Sequence, residues 1–289
     1  MVKIPSLMVK ELRDRTGLGM MDCKKALVES EGDIDQAIET LRKSSGMKAA
    51  KKAGRTASDG LVSIRKSDDG QAAVLVEVNC ETDFAARDEN FRSFVGGVTE
   101  LVLAAEQVDL EKLLSEGLEA QREALVQKIG ENISVRRAQR YDSDGKHLSS
   151  YVHTNGKIGV LVELDGGSEE LGKDIAMHVA ATNPMVVTPD QLSEVELAKE
   201  REIYVAQAAD SGKPPEIVEK MVEGRIRKYL AEISLVEQPF VKDPDVKVGG
   251  LLKAANATIS RFVRYEVGEG IEVEKDDFAA EVAAQLQDS

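Results

Sequence analysis

Three histidines, His147, His153 and His178, and two cysteines, Cys23 and Cys80, are the only imidazoles and thiols in the 289 residues. They could supply a general base, a nucleophile or soft metal ligands. None has a Cys or a second His at metal-ligand spacing, and HExxH and CxxC are both missing. There is no GxxxxGK[ST] loop to cradle a triphosphate and no GxSxG elbow to present a serine. "TGLGMMD" and "GEGIEV" each begin like GxGxxG and then lack the third glycine. The 52 Asp and Glu bring carboxylates together by chance across an acidic surface, so a pair of them carries little catalytic weight. With no Trp, a stacking platform for single strands is not expected.

The chemistry left is recognition. "CETDFAARDENF" (80–91) follows the apolar run "AAVLVEVN" and opens a helical pattern. A Thr-Asp-Phe step therefore stands at a strand-to-helix corner. Phe84 either folds back into its own core or is offered to another protein's. Phe91 reads as packing the following helix onto the sheet, and Cys80 as a small buried residue at the strand end.

The composition bounds the setting. The length implies two or more domains. An apolar fraction of 42% is that of a folded chain. No apolar run approaches the roughly 20 residues needed to cross a bilayer, so no membrane partner is expected. The N-terminus lacks the apolar stretch of a secretory signal, and two distant cysteines fit a reducing cytoplasm. A net charge of −14 argues against nucleic acid as the main ligand. The local exception is "RKSSGMKAAKKAGR" (42–55), with six basic residues and no acid. It reads as a solvated linker or as an RNA or ribosome contact.

The elements that must position these residues form an α+β chain. Residues 1–54 read as a three-helix bundle with a basic linker. The first helix runs from about Ser6 to Thr16 and stops at Gly17; the second starts near Asp22. The third is capped by Asp33 with Gln36 three residues on, and has Ile34, Ala37, Ile38 and Leu41 on one face. The linker then runs to about Gly54. Two related halves follow, 55–141 and 142–270. Each opens with a hairpin, around Asp69-Gly70 or Asn155-Gly156, dipeptides that accept positive φ. Each continues with a helix and closes with a strand, 133–141 or 257–267, giving two three-stranded antiparallel sheets backed by helices. The second half carries an insertion at 190–230 that reads as an antiparallel helical hairpin, a short coiled coil. Gly212 suits its stop and Pro214-Pro215 its restart. Its seam sets Leu197, Arg201, Tyr204 and Ala208 against Val218, Val222, Arg225 and Tyr229. Residues 271–289 read as a C-terminal helix with Phe278, Val282 and Leu286 on one strip.

Several segments together, "RTGLGMMDCKKALVESEGDIDQAIETLR", "KAAKKAGR", "VNCETDF", "KIGVLVEL", "AMHVAA", "GKPPEIVEKMVEGR", "QPFV" and "YEVGEGIE", resemble bacterial elongation factor Ts over nearly the whole chain. The resemblance implies a ubiquitin-associated-like N-terminal bundle, a core of two related halves, a helical arm and a C-terminal helix. It implies a guanine-nucleotide exchange factor for elongation factor Tu, binding its GDP-bound and nucleotide-free forms. In that family the Thr-Asp-Phe corner enters the GTPase near its nucleotide-bound magnesium. Here that segment is Thr82, Asp83, Phe84 and Ala85, the last often Val in the family. Leu12, Met20, Met21 and Ile233 match positions that grip a helix of the GTPase domain, and His153 matches one set against another of its domains. The resemblance assigns no catalytic group, metal or cofactor to the chain itself. Pairing of complexes into a larger assembly is left open. Two other classes stand beside it: an RNA- or ribosome-binding accessory protein using 42–55, and an enzyme with carboxylate chemistry.

Overall fold

The computed structural model describes residues 4–209 and 214–272. Gly212 and the strip Phe278, Val282 and Leu286 lie outside them. The helices α1 (Ser6–Thr16), α2 (Met20–Glu29) and α3 (Ile34–Lys52) come first. Next are β1 (Asp59–Lys66), β2 (Ala72–Cys80), α4 (Asp83–Arg87), α5 (Glu89–Ala104), α6 (Leu110–Leu113), α7 (Glu119–Ile129) and β3 (Ile133–Asp142). Then come β4 (His147–Val152), β5 (Ile158–Asp165), α8 (Glu169–Thr182), α9 (Glu194–Ala209) and α10 (Pro215–Ile233). The short strands β6 (Pro239–Phe240) and β7 (Asp243–Lys247), then α11 (Val248–Ala254) and β8 (Thr258–Glu266), complete the order.

The first three helices pack around Val9, Leu12, Leu18, Cys23, Leu27, Ala37 and Leu41. Gly17 ends α1 at φ +67°, its N–H reaching the Arg13 carbonyl, a conformation glycine adopts without steric cost. The Asp33 carboxylate accepts the Gln36 N–H at 2.9 Å and starts α3. Two features depart from the sequence reading. First, α2 opens at Met20 rather than near Asp22, with Gly19 as its N-cap. Second, α3 runs on to Lys52 through what reads as a basic linker. The reason is a stripe at every fourth residue. Ala37, Leu41, Ser45 and Ala49 are all buried, and Ala49 joins the core between β2, α5 and α7. Gly46 costs the helix about 1 kcal/mol, which this packing outweighs. Ser45 Oγ donates to Gln127 of α7, and Lys52 Nζ to the Gly130 carbonyl.

Two three-stranded antiparallel sheets follow, ordered β1-β2-β3 and β4-β5-β8. Each has a register shift at the same step of its central strand, between Glu77 and Val78 and between Glu163 and Leu164. The helix-facing side of the first sheet buries Val74, Val76 and Val78 against Phe91, Phe94, Val95 and Val98 of α5. The second buries Val160, Val162 and Leu164 against Ile175, Ala176 and Val179 of α8. The opposite faces meet each other through Val62, Leu75, Tyr141, Leu148, Leu161 and Tyr265. Gly159 permits the approach, since a Cβ there would stand 2.8 Å from Leu75 Cδ1.

Two carboxylates are sealed at this junction. Glu77 is fully buried; it accepts from Arg136 Nη1 at 3.0 Å, from Arg137 Nε, and from the Gly268 N–H at 2.9 Å. Arg137 lies over the Tyr265 ring at 4.1 Å. In the second sheet Glu163 pairs with Arg261 at 2.7 Å and Lys146 at 3.2 Å, and Arg261 lies over Tyr141 at 4.1 Å. Burial raises the Glu77 carboxyl, but the Gly268 N–H and the Arg137 and Arg136 guanidinium groups together hold it below its ordinary value.

The arm packs Leu197, Tyr204 and Ala208 of α9 against Val218, Val222, Ile226 and Leu230 of α10. The α10 stripe thus advances strictly by four, through Ile226 and Leu230 rather than Arg225 and Tyr229. Arg225 flanks the seam instead, over Tyr204 at 5.8 Å and bonded to Gln207. Arg201 is exposed. Buried His178 anchors the base of the arm. Its Nδ1 accepts the Val241 N–H at 3.1 Å, so Nε2–H donates to Gln238, whose amide donates to the Glu232 carbonyl.

Replacing Glu77 with Ala leaves two guanidinium groups without their buried counter-ion. Urea unfolding at neutral pH is expected to show a loss of about 3–5 kcal/mol. Glu11→Ala, which breaks the exposed pair with Arg15, should cost under about 1 kcal/mol. Because the folded carboxyl of Glu77 lies below its ordinary value of 4.5, its contribution is complete above that pH. It is lost as pH falls through the lower folded value, so the gap between wild type and Glu77→Ala should narrow on acidification.

Candidate functional site

The ladder of β2 with β3 ends at the pair Cys80–Ile133. Thr82 then takes an extended conformation and caps α4, its Oγ1 accepting the Ala85 N–H at 3.3 Å. One and a half turns later Asp88 caps α5 through the N–H groups of Asn90 and Phe91. At 100° per residue, Ala85 and Ala86 turn inward, and both are buried in the first core. Phe84 and Arg87 are left on the opposite face. The Phe84 ring is 78% exposed, the highest value among the large apolar side chains described. The corner therefore offers its ring outward, on a helical turn whose inner face is anchored by two small side chains.

Asp83 is tied to Arg87 at 2.7 Å across one helical turn, both groups being substantially exposed. Cys80 beneath the corner is buried, its Sγ 3.2 Å from the Thr82 carbonyl. Burial pushes its thiol up to about 12, which keeps it protonated and unreactive. Phe91 is fully buried between helix and sheet. Among the described residues, no three His, Cys, Asp or Glu side chains are placed to hold a metal ion.

The other residues singled out fall into two groups. Met20 and Met21, in the first turn of α2, are 58% and 75% exposed, so both face outward. His153 is exposed in the β4–β5 turn, its Nδ1 2.8 Å from Asn155 Oδ1. That turn is stapled to β1: Val62 N–H donates to the Gly156 carbonyl at 2.9 Å, and Lys157 reaches Asp59. Ile233 is half-buried at the end of α10, its carbonyl accepting the Met185 N–H at 2.9 Å. These residues stand on separate elements: α2, α4, the β4–β5 turn and the base of the arm.

Leu12 and Ala85 depart from expectation. Leu12 has no exposed surface; three residues after Val9, it lies on the inward stripe of α1. The free chain therefore presents none of its side chain at the surface. Ala85 is likewise turned into its own core, so it presents no side chain beside Phe84. The sequence reading misses Glu131. Its carboxylate receives the Glu81 N–H, the Thr82 N–H and the Thr82 hydroxyl. Nothing marks it in the sequence, since an acid after a helix-ending glycine is ordinary in so acidic a chain.

This is a mixed α/β protein with antiparallel sheets and an exposed aromatic ring at a strand-to-helix corner. A family model for Elongation factor TS matches residues 81–269. The chain is 64% identical over 287 residues to an elongation factor Ts of Hahella chejuensis, spanning 99% of this chain and 100% of that one. It is 59% identical over 284 residues to one of Marinobacter nauticus, spanning 98% of each. A third, from Teredinibacter turnerae, is 56% identical over 284 residues, spanning 98% of this chain and 97% of that one. The chain belongs to the elongation factor Ts family, a family of translation elongation factors.

Leu12→Ala should lower the bundle's unfolding free energy by about 2–5 kcal/mol. Met20→Ala and Met21→Ala should each change it by about 0.5 kcal/mol or less. Amide hydrogen exchange over residues 6–45 measures all three.

Proposed function

We propose that the chain is a cytoplasmic guanine-nucleotide exchange factor for elongation factor Tu, and that Phe84 is the side chain that loosens GDP. The family supports the exchange activity. The observation that carries the role of Phe84 is its 78% exposure on a helical turn anchored from behind by Ala85 and Ala86. The ring enters the GTPase beside the magnesium and phosphates of the bound nucleotide.

Such a factor needs no bond chemistry. It must bind the nucleotide-free GTPase more tightly than the GDP-bound one. Linkage then requires that the factor by which it weakens nucleotide binding equal the factor by which nucleotide weakens its own. Burying a Phe ring yields about 1.5–3 kcal/mol, or roughly ten- to a hundredfold in affinity. A wedge of this size also disturbs the metal that neutralises the phosphate charge. Asp83 enters the partner as half of an ion pair with Arg87 rather than as a lone charge. Met20, Met21, Ile233 and His153 supply further contacts that hold the wedge in place; thioether side chains suit a surface that adapts to a partner. Leu12 and Ala85 serve from inside. In the 42–55 segment four of the six basic residues, Lys43, Lys48, Lys52 and Arg55, have partners within the chain, at Glu39, Asp22, Gly130 and Glu81.

Release of labelled GDP from elongation factor Tu tests this. The wild type should accelerate release strongly. Phe84→Ala, with its fold intact, should accelerate it about ten- to a hundredfold less. Equal acceleration by the two proteins would remove Phe84 from the mechanism.

A further inference from the structure

We infer that Glu131, in the connection between α7 and β3, is the positioning residue for the corner that carries Phe84. Its carboxylate sets the angle at which α4 leaves β2, and therefore where the ring points. The inference rests on the reading of Phe84 given above for its effect on GDP release, but not for its effect on the corner itself.

The corner needs such a support. Beyond Cys80 the β2 backbone has left its ladder, and the N–H groups of Glu81 and Thr82 have no strand partner there. A helix as short as α4 does not hold itself in water; its direction comes from what is attached to it. Glu131 Oε2 accepts both free N–H groups, from Glu81 at 3.0 Å and from Thr82 at 2.9 Å. Its Oε1 accepts the Thr82 hydroxyl at 2.6 Å. That last bond fixes the hydroxyl rotor. The Thr82 proton points at Glu131, so the oxygen lone pairs face the Ala85 N–H that they cap. One carboxylate thus orders the backbone before the helix and the cap that starts it.

The support is reciprocal. Glu81 Oε1 accepts the Asn132 N–H at 2.6 Å. The Asn132 side-chain amide donates to the carbonyls of Arg55 at 2.8 Å and Ala53 at 3.3 Å. The corner is therefore clasped to the start of β3 and to the chain just after α3. All three bonds of the Glu131 carboxylate go to the corner, to the Glu81 and Thr82 N–H groups and the Thr82 hydroxyl.

The test has two arms. In the free protein, Glu131→Ala is expected to speed amide hydrogen exchange at residues 82–86 by about tenfold or more. Wild-type protection there overturns the clasp, whatever Phe84 does. With elongation factor Tu and labelled GDP, the maximal release rate should fall about tenfold. The factor concentration giving half that rate should move by less than about threefold, since the wider surface is untouched. Glu131→Gln, nearly isosteric and folded in the same way, keeps one acceptor oxygen and should lie between wild type and Ala. Adding Phe84→Ala to Glu131→Ala should give no further loss beyond Phe84→Ala alone. Losses that multiply in the double variant overturn the inference that Glu131 acts through the ring. Wild-type release by Phe84→Ala alone overturns the reading of Phe84, and the amide result then supports or overturns the clasp on its own.

Discussion

Arg137 and Arg261 each reach out of their own sheet to lie over a tyrosine of the other, and each holds a buried carboxylate as it does so. Burying Glu77 costs several kcal/mol unless its oxygens are fully bonded. One of the groups that satisfies it, the Gly268 N–H, comes from the far end of β8. A side chain at Gly268 would stand 2.2 Å from the Ser58 carbonyl, which shows how closely the chain passes there. Arg261 in turn bonds the Asp142 carbonyl at the end of β3. Pulling the sheets apart would strip the Gly268 N–H from Glu77 and the Asp142 carbonyl from Arg261, and would expose the apolar junction between them. The two halves therefore hold one relative position, and the elements they carry inherit fixed spacings.

That framework reaches the surface through short polar links and a few small buried side chains. The bundle is tied on by α3, whose far end shares the first core. The β4–β5 turn is stapled to β1 through Lys157 and Gly156. The α4 corner hangs on Glu131 and on two alanines. The base of the arm hangs on neutral His178, kept uncharged mainly by burial. A surface built in this way puts a few side chains in water at set positions while the backbone beneath them stays bonded.

Much of this is readable in the sequence because it is local. Asp69-Gly70 and Asn155-Gly156 mark both hairpins, Gly17 and Asp33 mark helix ends, and the hairpin–helix–strand order recurs twice. The direction of Phe84 stays open at that level, although the two alanines after it are a usable sign that the other side of the turn faces inward. The extent of α3 escapes because Ser45 and Gly46 look like a stop, while the four-residue stripe through Ala49 depends on a helix some 80 residues further along. The burial of Leu12 is legible from its place beside Val9 on an apolar stripe. Glu77 and Glu163 look like water-facing positions in alternating strands; only the meeting of two sheets encloses them. Glu131 is not legible at all, since its partners lie some 50 residues away.

The two sheets share a misstep. Each loses register at its buried glutamate, beside Glu77 in one and Glu163 in the other, and the unpaired residue is Arg136 on β3 or Ser260 on β8. In a regular ladder Arg136 and Arg137 would point to opposite faces. The bulge re-aims one of them, so two consecutive guanidinium groups converge on the single carboxylate of Glu77.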